Sequence, residues 1–251
     1  MTSTTPPPEG EEVTAPDRQE FLRPYDTFVA AVRAACADPG TQQALRRGLG
    51  KAVEEVPART HAKLLRPGLV PDHARGDARR AHYAVAALIA ARPRAQRDPD
   101  GEPPPAAASD TTTTPNADNS PPPTSQARDT ASFGPWGTSL GESLALAVAR
   151  RDGEPLKEDG VEARLHLMVR QDVDGIHRML PGVLRQLGTV GVPVDYACLL
   201  SDLSGWRYRR DAIAARWLEH YYRTLRRQRA AAAARNGPAA NEPQGTAAPA
   251  T

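Results

Sequence analysis

The chain is poor in everything that marks a redox, membrane or catalytic protein. Its 251 residues hold two cysteines. Cys36 and Cys198 stand apart among Ala and Leu in separate expected helices, and neither belongs to a C-x-x-C pair. Buried free thiols in a reducing compartment are the reading, not a disulfide frame. No stretch reaches the roughly 18 apolar residues that a membrane-spanning helix needs. The opening MTSTTPPPEGEEVTAP has neither a basic nor an apolar section, so it does not read as a signal peptide. The chain is therefore expected to be soluble and cytoplasmic, with no membrane partner.

Strand alternation is also missing, and so are the motifs of reaction chemistry. The six histidines (61, 73, 82, 166, 177, 220) form no H-x-x-x-H or H-E-x-x-H. No phosphate loop of the G-x-x-x-x-G-K type and no G-x-S-x-G occurs. Gly48-x-Gly50 follows a helical pattern rather than a strand, so it is no dinucleotide loop. Asp172 and Asp174 border a helix start, where capping accounts for them. No nucleophile, base and orienting group can be assembled. The chain is expected not to be an enzyme, with no cofactor, no metal and no small-molecule substrate.

What is present is helical periodicity broken by proline. Residues 1–16 are rich in Thr, Pro and Glu and are expected to be disordered. An N-terminal helical half follows over 17–92. Phe21–Ala37 carries Tyr25, Phe28, Val29, Val32 and Cys36 on one stripe and is expected to stop at Asp38-Pro39-Gly40. Thr41 is the expected N-cap of the next helix, with Leu45, Leu49 and Val53 inward. Glu54–Pro71 reads as a connector with one turn near His61–Leu65, and Asp77–Arg92 as a third helix. Residues 93–135 hold proline clusters, a Thr tetrad and almost no large apolar side chain, and read as a disordered Pro/Thr/Ala-rich linker.

The C-terminal half spans 136–229. Ser139-x-x-Glu142 and Asp159-x-x-Glu162 are expected capping boxes for helices Leu140–Arg151 and Val161–Arg170. Val173–Thr189 is helical by the spacing of Ile176, Leu180, Leu184 and Leu187, with a kink or break expected at Leu180 because Pro181 follows. Gly191–Arg227 reads as a short helix ended by Ser204-Gly205 and a longer one. Tyr196, Leu199, Leu200 and Leu203 form one dry face; Ile213, Trp217, Tyr221 and Leu225 form the other, widened by Leu218 and Tyr222. The spacing puts Trp206 and Trp217 in the core. Residues 230–251 are an expected tail, its alanine run able to prolong the last helix. The fold class is all-α: a helical bundle in two halves joined by a long linker.

Net charge is only +2, but its distribution is uneven. Between Thr41 and Arg94 stand eleven Lys/Arg against four acids. Within 204–227 seven arginines face only Asp211 and Glu219. Cationic helical faces of this kind suit a polyanion. A free-standing helix-turn-helix regulator is the alternative. Several exposed positions of 210–225 are spent on Ala, however, and no Asn or Gln suited to reading adenine stands there.

Six stretches in order resemble one family, CasB, the small subunit of the type I-E CRISPR surveillance complex Cascade. They are ALRRGLG (44–50) with VP (56–57), HYAVAALIA (82–90), TSLGESLA (138–145), VEARLHLMV (161–169), GVPVDYACLLSDLSGW (191–206) and AARWLEHYY (214–222). The chain departs from the family pattern in its long 93–135 span and in Pro181, near an expected basic position. The resemblance implies a non-catalytic all-helical subunit, present as two copies head to tail. Its partners would be the other Cascade subunits, the guide crRNA, and the target and non-target DNA strands of an R-loop. By matching motif, Arg46, Arg47 and Lys51 carry over as the phosphate-facing group of the first half, with Lys63 and Arg66 after the VP. Arg209 and Arg210 carry over for the second half, and Arg207 and Arg216 complete the candidate set on the cationic face of the final helix.

Overall fold

The computed structural model describes residues 18–93, 137–150 and 154–235. The readings of 1–16, of the linker from residue 94 onward and of the tail beyond Arg235 lie outside them. All regular structure among the described residues is helical. The first half holds α1 (Arg18–Ala35), α2 (Pro39–Arg46), a 3₁₀ turn (Val53–Glu55), α3 (Ala58–Leu65) and α4 (Gly76–Ala91). The second holds α5 (Leu140–Val148), α6 (Glu158–Met168), α7 (Val173–Thr189) and α8 (Tyr196–Arg235).

Two helices organise the rest. The sequence AHYAVAALIA of α4 is buried nearly all round, because small alanines let neighbours approach from every side. It meets α1, α2, α7 and α8. The long α8 packs on α5 and α4 most extensively, and on α1 and α7 as well. One contiguous apolar cluster therefore runs from Phe28, Val32 and Leu45 through Val85 and Ile89 to Leu165, Leu187, Trp206 and Trp217. The expected inward residues lie in it or against it, and both tryptophans are fully buried. Tyr222 is the exception: it is 42% exposed, its hydroxyl donating to Glu162 at 2.7 Å. Cys36 and Cys198 are buried free thiols.

Asp195 fastens the second half at its re-entry. One carboxylate oxygen accepts from Thr138 N at 2.8 Å and the other from Cys198 N at 2.9 Å, so a single side chain caps α8 and pins the chain entering α5. Gly137 beside it has φ +71, and a Cβ there would stand 2.6 Å from Asp195 Oδ2. Ser139 is the N-cap of α5, as expected, accepting from Glu142 N at 3.2 Å. Gly141 allows α5 and α8 to touch: a Cβ built on it would lie 1.9 Å from the Trp217 carbonyl oxygen.

Several expected boundaries are corrected. α1 ends at Ala35, just before Asp38-Pro39-Gly40, and Asp38 also starts α2, accepting from Gly40 N and Thr41 N with Pro39 in the first turn, so it displaces Thr41 as the cap. The connector contains a full helix, α3, bolted to α2 by Thr60 Oγ1 donating to Ala44 O at 2.5 Å. The Asp159-x-x-Glu162 box does not form: α6 begins at Glu158 after Lys157, with no side-chain cap. Pro181 sits inside α7, which runs on to Thr189. Burial of Leu180, Val183, Leu184 and Leu187 on both sides of it outweighs one missing backbone donor. Ser204-Gly205 does not end a helix. The departure from helical geometry comes at Arg209 (φ −126, ψ 18), and α8 then continues through the alanine run to Arg235.

Candidate nucleic-acid interface

The five basic candidates of the first half fall into two places. Helices α2 and α3 run antiparallel, since Thr60 meets Ala44 while Lys63 reaches Asp38 at the start of α2. Arg46 and Arg47 thus lie at one end of the pair and Arg66, the C-cap of α3, at the other. Arg46 closes α2 and Arg47 is its C-cap. Gly50 then takes φ +71, a left-handed turn that presents Lys51. All three are exposed, and none makes an ion pair or side-chain hydrogen bond among the described residues. No pairing of Arg46 or Arg47 with Glu54 or Glu55 forms there. The partial negative charge at a helix C-terminus steadies cations in this place without an acidic neighbour, leaving their charge free for a ligand.

Lys63 is occupied differently. Its ammonium stands 3.4 Å from Asp38 Oδ2. The Asp38 carboxyl is held down at about 2, chiefly by the Thr41 hydroxyl, then by the backbone N–H groups of Gly40 and Thr41, with Lys63 adding least. Arg66 is exposed and makes no ion pair among the described residues.

The four candidates of the second half divide more sharply. Arg216 reaches Asp202, and Trp217 Nε1 donates to the other oxygen of the same carboxylate at 2.7 Å. Asp202 is buried, so Arg216 neutralises a core acid and serves the fold. Arg207 is also committed. Its Nε and Nη2 donate to the two oxygens of Asp77 at 2.5 and 3.0 Å. That hydrogen-bonded pair lowers the Asp77 pKa below the usual carboxylate range. Beside it Arg80 pairs with Asp174 and lowers that carboxyl likewise. The two pairs join α4 of the first half to α8 and α7 of the second.

His177 lies buried at this junction, with neither ring nitrogen hydrogen-bonded. Desolvation first, and the Arg80 charge second, push its pKa down to about 4. Arg209 and Arg210 remain outward. Arg210 pairs with the adjacent Asp211 at 3.1 Å, and Arg209 folds its guanidinium over Gly205. With Arg80, Asp174, Arg207 and Tyr208 they line an open cleft of about 570 Å³.

Of the nine candidates, the structure leaves Arg46, Arg47, Lys51, Arg66, Arg209 and Arg210 presented to solvent. Arg207, Arg216 and, in part, Lys63 and Arg210 are tied to carboxylates, Arg210 while still exposed. Two further exposed cations that the sequence reading did not single out, Arg178 and Arg185, stand on the outer face of α7. Their spacing of seven is the signal that one helix face carries them.

The chain matches the model of the family CRISPR-associated protein Cse2 over residues 43–222. No curated protein matches it. Among solved structures, a chain of a "CRISPR RNA-guided surveillance complex" is 32% identical, with a TM-score of 0.60, covering 84% of this chain and 98% of that one. A chain of a "CRISPR RNA-guided surveillance complex, pre-nicking" is 33% identical, with a TM-score of 0.61 and coverages of 84% and 99%. The crystal structure of M. ruber CasB is 17% identical, with a TM-score of 0.46 and coverages of 85% and 97%. Ordered motifs in both halves, an all-helical core and a family match across most of the described residues agree: this chain belongs to the CRISPR-associated protein Cse2 family.

Proposed function

We propose that this chain is a non-catalytic small subunit of a CRISPR RNA-guided surveillance complex of the type I-E Cascade kind. Its task is to hold the sugar-phosphate backbone of DNA strands that the guide RNA has separated. The observation that carries this reading is the set Arg46, Arg47 and Lys51, three exposed cations at one helix end with no acid to satisfy them among the described residues. Arg66, Arg209 and Arg210 extend the cationic surface. Exchange of a DNA duplex for a guide-target hybrid is nearly balanced, so modest sequence-blind contacts to the backbone can tip it. Two copies would stand in each complex, beside the crRNA and the larger subunits.

Two measurements test this. The tagged full chain, purified from its own cells in moderate salt, should bring down short RNAs of uniform length with a repeated flank and variable inserts, together with larger proteins. A lone protein free of RNA would remove the complex from the reading. Arg46→Glu with Arg47→Glu should weaken single-strand DNA binding while leaving the circular-dichroism melt in place. With alanines at the same positions, the slope of log affinity against log salt should flatten by about 1.4, at about 0.7 per phosphate contact. A melt that collapses in parallel with binding would assign the two arginines to folding instead.

A further inference from the structure

Arg207 to Ala212 are exposed as six successive residues inside α8. A straight helix lying on a core cannot do this, because its 3.6-residue period returns a side chain to the buried face within four positions. The departure at Arg209 (φ −126, ψ 18) explains it: the axis shifts and the turn is thrown outward as a knuckle. At its crest stands Tyr208, 84% exposed and the most exposed large apolar side chain among those described. Its hydroxyl makes no hydrogen bond, and its ring meets no other aromatic, among the described residues.

An exposed aromatic alone means little. What sets Tyr208 apart is how its root is held and what flanks it. Trp206, two residues before, is fully buried and donates from Nε1 to Gln171 O at 3.1 Å. Arg207 is clamped in the forked pair with Asp77. The ring is thus offered to solvent from a fixed backbone, so little freedom remains to be lost on binding. Arg209 and Arg210 follow it, and all three border the open cleft, whose acids are Asp174, paired with Arg80, Asp211, paired with Arg210, and the helix cap Asp172. An exposed ring and guanidinium groups at the edge of one open cleft are the combination that sequence-blind single-strand binders use: aromatic faces for bases, cations for the backbone.

We infer that Tyr208 is a base-stacking platform for an unpaired nucleotide, with Arg209 and Arg210 taking the flanking phosphates. This rests on the reading of the chain as a holder of separated DNA strands, and adds that one of its sites grips bases as well as backbone. The full-length chain is titrated with fluorescent twenty-residue oligo(dT) and with an abasic strand of equal length. Wild type binds oligo(dT) more tightly. Y208A loses about tenfold on oligo(dT), keeps its affinity for the abasic strand, and keeps its salt slope because no cation is removed. Y208F retains the wild-type preference. With 2-aminopurine in the strand, quenching on binding is present in wild type and Y208F and absent in Y208A.

Y208A that binds oligo(dT) as wild type does, with wild-type quenching, overturns the inference. So does a wild type that holds both strands equally. If binding still depends on Arg46 and Arg47 in those cases, the backbone-holding function survives and only the stacking role falls. A wild type that binds neither strand removes both.

Discussion

Replacing Gly141 with alanine tests the close contact between α5 and α8. A Cβ at this position would stand 1.9 Å from Trp217 O, 2.7 Å from its carbonyl carbon and 2.9 Å from its Cα. All three are backbone atoms of a fully buried residue inside α8, so no flexible side chain can move aside. Ordinary contact begins at 3.4 Å, so α5 and α8 must separate locally by about 1.5 Å. That loosens Leu140, Leu144 and Ala145, all buried on α5, against the most extensively packed partner of that helix. Overpacking of this kind costs about 1–3 kcal/mol, occasionally more, whereas the helix preference of Ala over Gly returns at most about 1 kcal/mol. The net expectation is a loss of about 2 kcal/mol, or a fall of about 4–8 °C in Tm for a domain of this size. Gly182 is the matched control. It is exposed on α7 with nothing within 4 Å of a built Cβ, so Gly182→Ala should raise Tm by about 2–4 °C. Thermal melts of both variants decide the matter: a Gly141→Ala protein as stable as wild type, or shifts of the same sign, would refute the contact argument.

Two further predictions follow from buried polar groups. His177, with its folded pKa at about 4 against 6.5 for an ordinary histidine, binds fewer protons folded than unfolded, so its contribution to stability falls as pH drops from about 6.5 toward 4. His177→Leu should flatten the decline in urea midpoint between pH 7 and 5, leaving the part due to His82, whose pKa burial also lowers; an unchanged decline would dismiss the role of His177. Asp202→Ala strands the Arg216 charge and the Trp217 N–H together, and should cost about 3 kcal/mol in denaturant unfolding. A loss under about 1 kcal/mol would mean that water replaces the carboxylate.

The sequence made the helices and their inner faces legible because apolar spacing is a local property. Ile213, Trp217, Tyr221 and Leu225 are a ladder in the text and a buried ladder in the fold. Boundaries were less legible where one residue type has two uses. Asp38-Pro39-Gly40 can end a helix or cap the next, and the carboxylate's bonds to Gly40 and Thr41 add the second use. Gly205 is read as a terminator, yet it sits within α8, where the Arg209 guanidinium covers its bare Cα. The state of the candidate arginines was the least legible of all. Arg207 and Asp77 are 130 positions apart, and nothing local to either says that one will consume the other. Arg46 and Arg47 look no different in sequence from Arg207, though only the latter is committed to a carboxylate.

The single apolar cluster shared by both halves also sets the order in which the chain can become a protein. Helices α1 and α4 bury their faces partly against α8, which begins about one hundred residues downstream of Ala91. At ribosomal rates of about 5–20 residues per second, that gap lasts about 5–20 s. Through that interval the faces that α1 and α4 turn toward α8 wait without the helix that completes their cover. Until α8 is made, the first half therefore carries apolar surface that the finished fold hides.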